Sequence, residues 1–188
     1  YIIPKITKNT AFRVHPFRGK MDLFKKIPKR LQAYSQRIQN KEDIRIIILV
    51  DRDDDNCHDL KVMLEEAAKW QGLKTKSSPA PSGMFHVLTR IAVEELEAWF
   101  LGDEQAIRTA YTRVPLFAQQ KTFRKPDAVK GGTWEALERL LQKAGYHQGG
   151  LAKIKAAREI AAHMEPSRNK SQSFKVFCEG LQSLIQTT

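Results

Sequence analysis

Four aspartates lie within five consecutive residues, and they are the strongest chemical signal in this sequence. Asp51 ends an apolar, β-branched run, and three more aspartates follow at 53–55. Carboxylates this close repel one another unless a cation neutralises them. On an extended backbone, Asp51, Asp53 and Asp55 would point the same way, and carboxylate oxygens are the ligands that Mg²⁺ and Mn²⁺ prefer. We therefore predict a divalent-cation site formed by these side chains.

Part of the same segment also fits other roles. Asp55 or Asn56 is suited to cap the following helix, which would leave Asp51 and Asp53 for the metal. An EF-hand is excluded because its twelfth loop position would be Val62 instead of glutamate. A phosphohydrolase that uses Asp51 as a covalent nucleophile stays open. It is weakened because Asp55 stands where such enzymes usually carry threonine or valine.

A second acidic segment follows the next apolar run. Glu94 and Glu97 are three residues apart in a stretch with helical periodicity, so they would be neighbours on a helix. A solvated acidic helix face is the ordinary interpretation. However, the carboxyl ends of parallel strands meet at one edge of a sheet. We therefore predict that Glu94 or Glu97 joins the metal site, with Glu97 favoured, while Trp99 is expected in the core.

The apolar periodicity predicts an α/β fold with a mainly parallel sheet, because strands alternate with helices in the first half of the chain. Strands are predicted over 12–17, 44–50 and 85–91, the second of them buried on both faces. Helices are predicted over 21–38, 57–71, 94–101, 103–111, 134–144, 151–163 and 174–185, with Pro28 kinking or dividing the first. We expect an α/β core at 1–102 and a helical part at 103–188.

Basic segments flank the acidic centre. The net charge is +11: residues 1–42 carry 11 basic and 2 acidic side chains, residues 43–102 carry 7 and 11, and residues 103–188 carry 14 and 8. A solvated basic surface would explain this, but the excess favours a polyanionic partner such as DNA or RNA. The candidate contacts are Lys121, Arg124, Lys125, Lys153, Arg168, Lys170 and Ser171. If the protein cleaves such a partner, Lys153 is the first candidate for contacting the scissile phosphate. His147 is a weaker candidate for an acid/base group.

Composition excludes other classes. The longest aliphatic run, 46–50, is far too short to cross a membrane, and two cysteines exclude a disulfide scaffold. The two cysteines, Cys57 and Cys178, fit a reducing, intracellular compartment, so we expect a cytoplasmic location. The first residues read like the end of a helix, so we expect further residues before Tyr1.

Three long segments resemble a Toprim-like family of uncharacterised bacterial proteins. They are VDRDDDNCHDL from Val50, RIAVEELEAWFLGD from Arg90 and GGTWEALERLLQKAGYHQGGLAKIKAAREIA from Gly131. The family is related to Toprim nucleases of the overcoming-lysogenization-defect type, and its members are often encoded beside ATPases in phage-defence operons. The resemblance implies a Toprim-like Rossmannoid core and Mg²⁺- or Mn²⁺-dependent cleavage of phosphodiester bonds. Asp51 and Asp53 match the metal-binding Asp-x-Asp, and Glu97 matches a further acidic ligand.

The resemblance also implies features that these residues do not supply. Its first-strand glutamate has no counterpart, and we expect it before Tyr1. If that glutamate is missing, a nucleic-acid-binding or ATPase-partner module with a degenerate site becomes the alternative. An ATPase partner, a homo-oligomer and a role in antiphage defence are further expectations from the resemblance.

Overall fold

The computed structural model describes residues 1–8 and 10–186. In these residues the helices are α1 (Ile2–Thr7), α2 (Lys20–Gln39), α3 (Cys57–Lys69), α4 (Glu97–Leu101), α5 (Glu104–Ala110), α6 (Thr133–Lys143), α7 (Lys153–His163) and α8 (Gln172–Gln186). The strands are β1 (Ile46–Asp51) and β2 (Val87–Ala92). None of the described helices is long and apolar enough to cross a membrane.

The chain divides into two compact units. The helical unit comprises Tyr1–Asn9 and Ala92–Cys178, and the sheet unit comprises Thr10–Ile91 and Glu179–Thr188. Each unit therefore combines two separate stretches of the chain. The division at residue 102 that the sequence suggested stays a prediction.

The sheet unit is built on a parallel strand pair. β1 and β2 lie side by side, and α3 makes the crossover between them. Side chains alternate along β1: Ile48 and Val50 are buried, whereas Leu49 is 38% exposed. The prediction that this strand is buried on both faces is therefore wrong, although its position and its parallel pairing are confirmed.

The core of the sheet unit joins α2 and α3 to the sheet. Leu23, Ile27 and Leu31 recur every four residues along α2, so they form one buried stripe. Pro28 lies within a single continuous α2 and does not divide it into two helices. The other core members are Ile46, Ile48, Val50, Leu64, Ala68, Leu73 and Val87.

The helical unit has an aromatic centre. Trp99 on α4 is 5% exposed, and its ring centroid lies 5.2 Å from that of Phe174 and 5.0 Å from that of Phe177 on α8. Its indole Nε1 donates to Ser173 Oγ at 2.9 Å, so the polar atom of this buried ring is also satisfied. The prediction that Trp99 lies in the core is confirmed.

A buried asparagine joins the end of α4 to the start of α8. Asn169 Nδ2 donates to the Trp99 carbonyl at 2.7 Å, and its Oδ1 accepts from the Ser171 amide at 2.8 Å. Gly102 leaves the room for this link, because a Cβ there would lie 2.2 Å from Asn169 Oδ1. The tight packing therefore depends on glycine at this position.

The α/β class and the helical C-terminal part are confirmed, but two predicted elements are wrong. Residues 12–17 form no strand; Phe12 and Val14 are exposed, and His15 bonds to α2 instead of to a neighbouring strand. The helix predicted from Glu94 begins only at Glu97, because Glu94 has a φ of 63°, outside the helical region.

Candidate functional site

In the sheet unit, the aspartates follow β1 in a short loop. Asp51 is the last residue of β1 and is half-buried, whereas Asp53 and Asp55 are exposed. Asn56 accepts hydrogen bonds from the amides of His58 (2.8 Å) and Asp59 (3.4 Å), so it is the N-cap of α3. The capping prediction is therefore confirmed for Asn56, and this leaves the carboxylate of Asp55 to other contacts.

A lysine from α2 lies among the loop oxygens. Lys20 Nζ donates to Asp55 Oδ2 at 2.5 Å and to the Arg52 carbonyl at 2.9 Å, and it pairs with Asp53 Oδ2 at 2.8 Å. Burial alone would lower the pKa of Lys20, but the hydrogen bonds to Asp53 and Asp55 outweigh it and raise that pKa. The loop therefore holds a positive charge, and sequence reasoning missed the residue that carries it.

The oxygens that surround Lys20 Nζ are of the kind that bind a hard divalent cation. The loop already turns two carboxylate oxygens and one carbonyl oxygen toward a single cationic group, and such oxygens are the usual ligands of Mg²⁺. Asp53 adopts a φ of 50°, which an aspartate accepts at modest cost. Within residues 1–8 and 10–186, no three His, Cys, Asp or Glu side chains form a group that could hold a metal ion.

The predicted metal site combines residues of both units. Asp51, Asp53 and Asp55 belong to the sheet unit, whereas Glu94 and Glu97 belong to the helical unit. The combined five-carboxylate site therefore stays a prediction, and each half is described by itself.

In the helical unit, the glutamates after β2 have different roles. The Glu95 carboxylate accepts from Thr133 Oγ1 at 2.9 Å and from the Trp134 amide at 3.0 Å, so it caps the first turn of α6. The side chain of Glu97 is 13% exposed and lies 4.0 Å from Lys153 Nζ. The structure thus brings together Glu97, the favoured further metal ligand, and Lys153, the first candidate for a phosphate contact.

Lys153 stands at the first position of α7. Its Nζ lies 4.3 Å from the centre of the Trp134 ring, a cation–π contact, while 48% of its side chain remains exposed. Together with Lys155 and Arg158 it lines an open surface groove of about 780 Å³. An ammonium that is oriented by an aromatic ring and still open to solvent is well placed to meet an anionic group.

His147 belongs to a hydrogen-bonded chain with Tyr111 and Glu159. The Tyr111 hydroxyl donates to Glu159 Oε2 at 2.5 Å and lies 2.9 Å from His147 Nε2. Because the single hydroxyl proton goes to the carboxylate, His147 Nε2 must be the donor in the second bond. Burial, followed by the bond to Glu159, raises the pKa of Tyr111. His147 therefore has a local structural partner in this unit.

Arg168 and Ser171 are held by internal contacts. Arg168 forms two parallel bonds to the fully buried carboxylate of Asp103, at 2.8 and 2.9 Å. Ser171 is fully buried, donates to Asp127 Oδ1 at 2.8 Å and accepts from the Phe174 amide. These contacts give both residues a structural role in this unit, and a nucleic-acid contact by either of them stays a prediction.

The remaining basic candidates lie at the surface. Lys121, Arg124, Lys125 and Lys170 are exposed, and Arg124 Nε also donates to the Gln119 carbonyl at 3.1 Å. They are accessible to a polyanion, and their contact with nucleic acid stays a prediction.

Comparison with known proteins identifies a family. Neither the curated proteins nor the solved structures contain a significant match to this chain. A match to the family described as Domain of unknown function (DUF4276) extends over residues 1–182. Because that match covers nearly the whole sequence, the chain belongs to the DUF4276 family.

Proposed function

We propose that this protein is a Toprim-like, Mg²⁺- or Mn²⁺-dependent nuclease that hydrolyses phosphodiester bonds of nucleic acid. One observation carries the proposal: a loop at the carboxyl end of a parallel strand gathers the oxygens of Arg52, Asp53 and Asp55 around a single positive charge. This is the edge of an α/β sheet at which sites usually form. The resemblance of the Asp51 and Asp53 segment to a metal-binding Asp-x-Asp supports the same function.

Each unit would supply part of the chemistry. Bound Mg²⁺ would activate water and stabilise negative charge on the phosphate. Asp51 and Asp53 would hold the ion, and Glu97 is the further ligand that the resemblance implies. Lys153, oriented by Trp134 and half-exposed, would bind a phosphate oxygen as a fixed positive charge.

The same loop also supports a second candidate, a nucleic-acid-binding module that needs no metal. Lys20 already neutralises Asp53 and Asp55, so the loop is electrostatically satisfied by residues of the chain itself. In that case the aspartates would serve to anchor α2 at the end of β1. The nuclease remains the first proposal because the segment of Asp51 and Asp53 resembles a metal-binding Asp-x-Asp, which an anchor for α2 does not require.

The cellular setting is proposed from sequence features. The resemblance supports an ATPase partner encoded nearby, a role in antiphage defence and a homo-oligomer. The low number of cysteines, two in the whole sequence, supports a reducing, cytoplasmic location.

The direct experiment assays the full chain on labelled DNA and RNA in Mg²⁺, Mn²⁺ or EDTA. We expect cleavage that EDTA abolishes and that Asp53→Asn lowers by at least about 100-fold, because a ligand to the metal is lost. Asp54→Asn is the matched control, since Asp54 is an exposed neighbour with the same charge. Equal cleavage by the two variants, or cleavage in EDTA, would exclude the proposed metal site.

A further inference from the structure

The sheet unit carries a basic surface that the candidate contacts above do not include. Residues 10–42 hold nine basic and two acidic side chains. The two acidic residues are already paired, Asp22 with Lys26 at 2.6 Å and Glu42 with Arg37 at 2.5 Å. Lys20 is also paired, with Asp53 and Asp55, so the unbalanced positive charge of this region lies on the remaining six basic side chains.

These side chains have a regular arrangement on α2. Met21, Lys25 and Lys29 occur every four residues, so they form one stripe along the helix, and all three are exposed. In the part of the chain that the structure describes, Lys25 and Lys29 form no ion pair. Two unpaired ammonium groups about one turn apart on one helix face can each meet a phosphate of the same strand.

Residues 10–18 add exposed aromatic and basic groups beside α2. His15 anchors this segment, because its ring nitrogens bond to Arg30 at 2.9 Å and to Tyr34 at 2.8 Å. Phe12 is 51% exposed, and the neighbouring Arg13 is also exposed. An exposed ring next to cations is the combination on which unpaired bases stack.

We propose that α2 and residues 10–18 bind single-stranded nucleic acid. The phosphates would meet Lys25 and Lys29, and an unpaired base would stack on Phe12. The helix itself begins beside the aspartate loop, because Lys20, its first residue, is held in that loop. This inference takes its ligand from the proposed function and names the substrate class as single-stranded.

Two other polyanions fit this face less well. A bilayer surface requires a helix with a free apolar side, whereas the apolar stripe of α2, which includes Leu23 and Ile27, is buried in the core. A duplex would satisfy the lysines but would keep its bases stacked away from Phe12.

The test measures binding without cleavage. Fluorescence anisotropy in EDTA compares a 20-nucleotide single strand, its duplex and anionic vesicles, using the full chain. We expect the double variant Lys25→Glu/Lys29→Glu to weaken single-strand binding at least tenfold. The slope of log K against log salt concentration should fall by about 1.4, which corresponds to two lost phosphate contacts. The matched control, Lys69→Glu/Lys74→Glu, makes the same charge change elsewhere in the unit and should stay within about threefold.

Phe12→Ala separates stacking from charge alone. It should weaken single-strand binding roughly fivefold or more and leave duplex binding unchanged. The inference would be overturned if Lys25→Glu/Lys29→Glu and Lys69→Glu/Lys74→Glu lost equal single-strand affinity. It would also be overturned if Phe12→Ala had no effect, or if the chain bound vesicles more tightly than single strands.

The same proteins then separate this inference from the nuclease proposal. If Lys25→Glu/Lys29→Glu binds single strands and cleaves in Mg²⁺ like the unaltered chain, the proposed binding surface is refuted. The nuclease proposal is then unaffected. Binding that depends on Lys25 and Lys29, without cleavage by the unaltered chain, supports the surface and refutes the nuclease.

Discussion

The buried carboxylate of Asp103 allows a quantitative prediction about the helical unit. Its side chain is fully buried and accepts four hydrogen bonds. Oδ1 accepts from the Ala106 amide (3.1 Å) and from Arg168 Nε (2.8 Å), and Oδ2 accepts from the Glu165 amide (3.0 Å) and from Arg168 Nη2 (2.9 Å). Asparagine has the same shape but only one acceptor oxygen. In Asp103→Asn, one backbone amide and one guanidinium N–H would therefore face a donor, whichever way the amide is turned.

The size of the effect follows from those two lost bonds. Both lost bonds are made to a charged carboxylate, and such a bond contributes about 1.5–3 kcal/mol. The Arg168 side chain is 35% exposed, so water can solvate part of the uncompensated charge, and the lower end applies. We expect Asp103→Asn to lower the free energy of unfolding by roughly 3 kcal/mol.

Urea unfolding followed by tryptophan fluorescence measures this change. The signal reports the helical unit, because Trp99 is buried there whereas Trp70 of the sheet unit is already 83% exposed. We expect a lower midpoint with an unchanged slope. Glu165→Gln is the control, since it makes the same chemical change in an exposed pair with Lys5 and should cost less than about 1 kcal/mol. Equal midpoints for the two variants would refute the reasoning.

Three further predictions concern packing, pH and the aspartate loop. Gly102→Ala should destabilise the protein by about 1–3 kcal/mol in urea unfolding, because its methyl group would overlap Asn169. Burial, followed by Arg30, lowers the pKa of His15. Its contribution to stability should therefore be complete above the unfolded pKa of about 6.5 and be lost as the pH falls below it. Lys20→Met should lower the melting temperature in EDTA and increase the rise that Mg²⁺ produces, because the aspartates lose their internal counter-charge.

Each of these has its own control. Gly149→Ala has open space around the new methyl group and should leave the urea midpoint nearly unchanged, so equal costs at 102 and 149 would argue against the overlap. The pKa of His86 is also lowered, mainly by burial. The pH dependence of stability should therefore be measured in proteins that already carry His86→Gln. A pH slope that survives His15→Gln in that background would contradict the assignment. An unchanged response of Lys20→Met to Mg²⁺ would count against metal binding by the loop.

Local patterns were sufficient to predict much of the fold. The spacing of Leu60, Leu64 and Ala68 predicts α3, and the β-branched run before Asp51 predicts β1. These signals are reliable because the apolar residues that form a buried helix stripe or a strand lie within a few positions of one another in the sequence. The cap at Asn56 is equally local, since its partners are two and three residues away.

Contacts between distant residues limited the prediction of the site. Lys20 lies more than thirty residues from the aspartates that it bonds, so no spacing in the sequence signals the pair. Likewise, Arg168 reads as a surface cation until Asp103 is known to lie beneath it. The alternation at 12–17 misled for a related reason: a period of two predicts a strand only where a neighbouring strand is present to pair with it.

The division of the chain into interleaved units has a consequence for synthesis on the ribosome. The sheet unit uses Thr10–Ile91 but also Glu179–Thr188, and α8 runs from one unit into the other. At about 5–20 residues per second, the first stretch waits roughly 4–17 s for the second. During that interval the sheet unit lacks the last stretch of chain that belongs to it. We expect chains arrested near Ile91 to be degraded by proteases far faster than the finished protein.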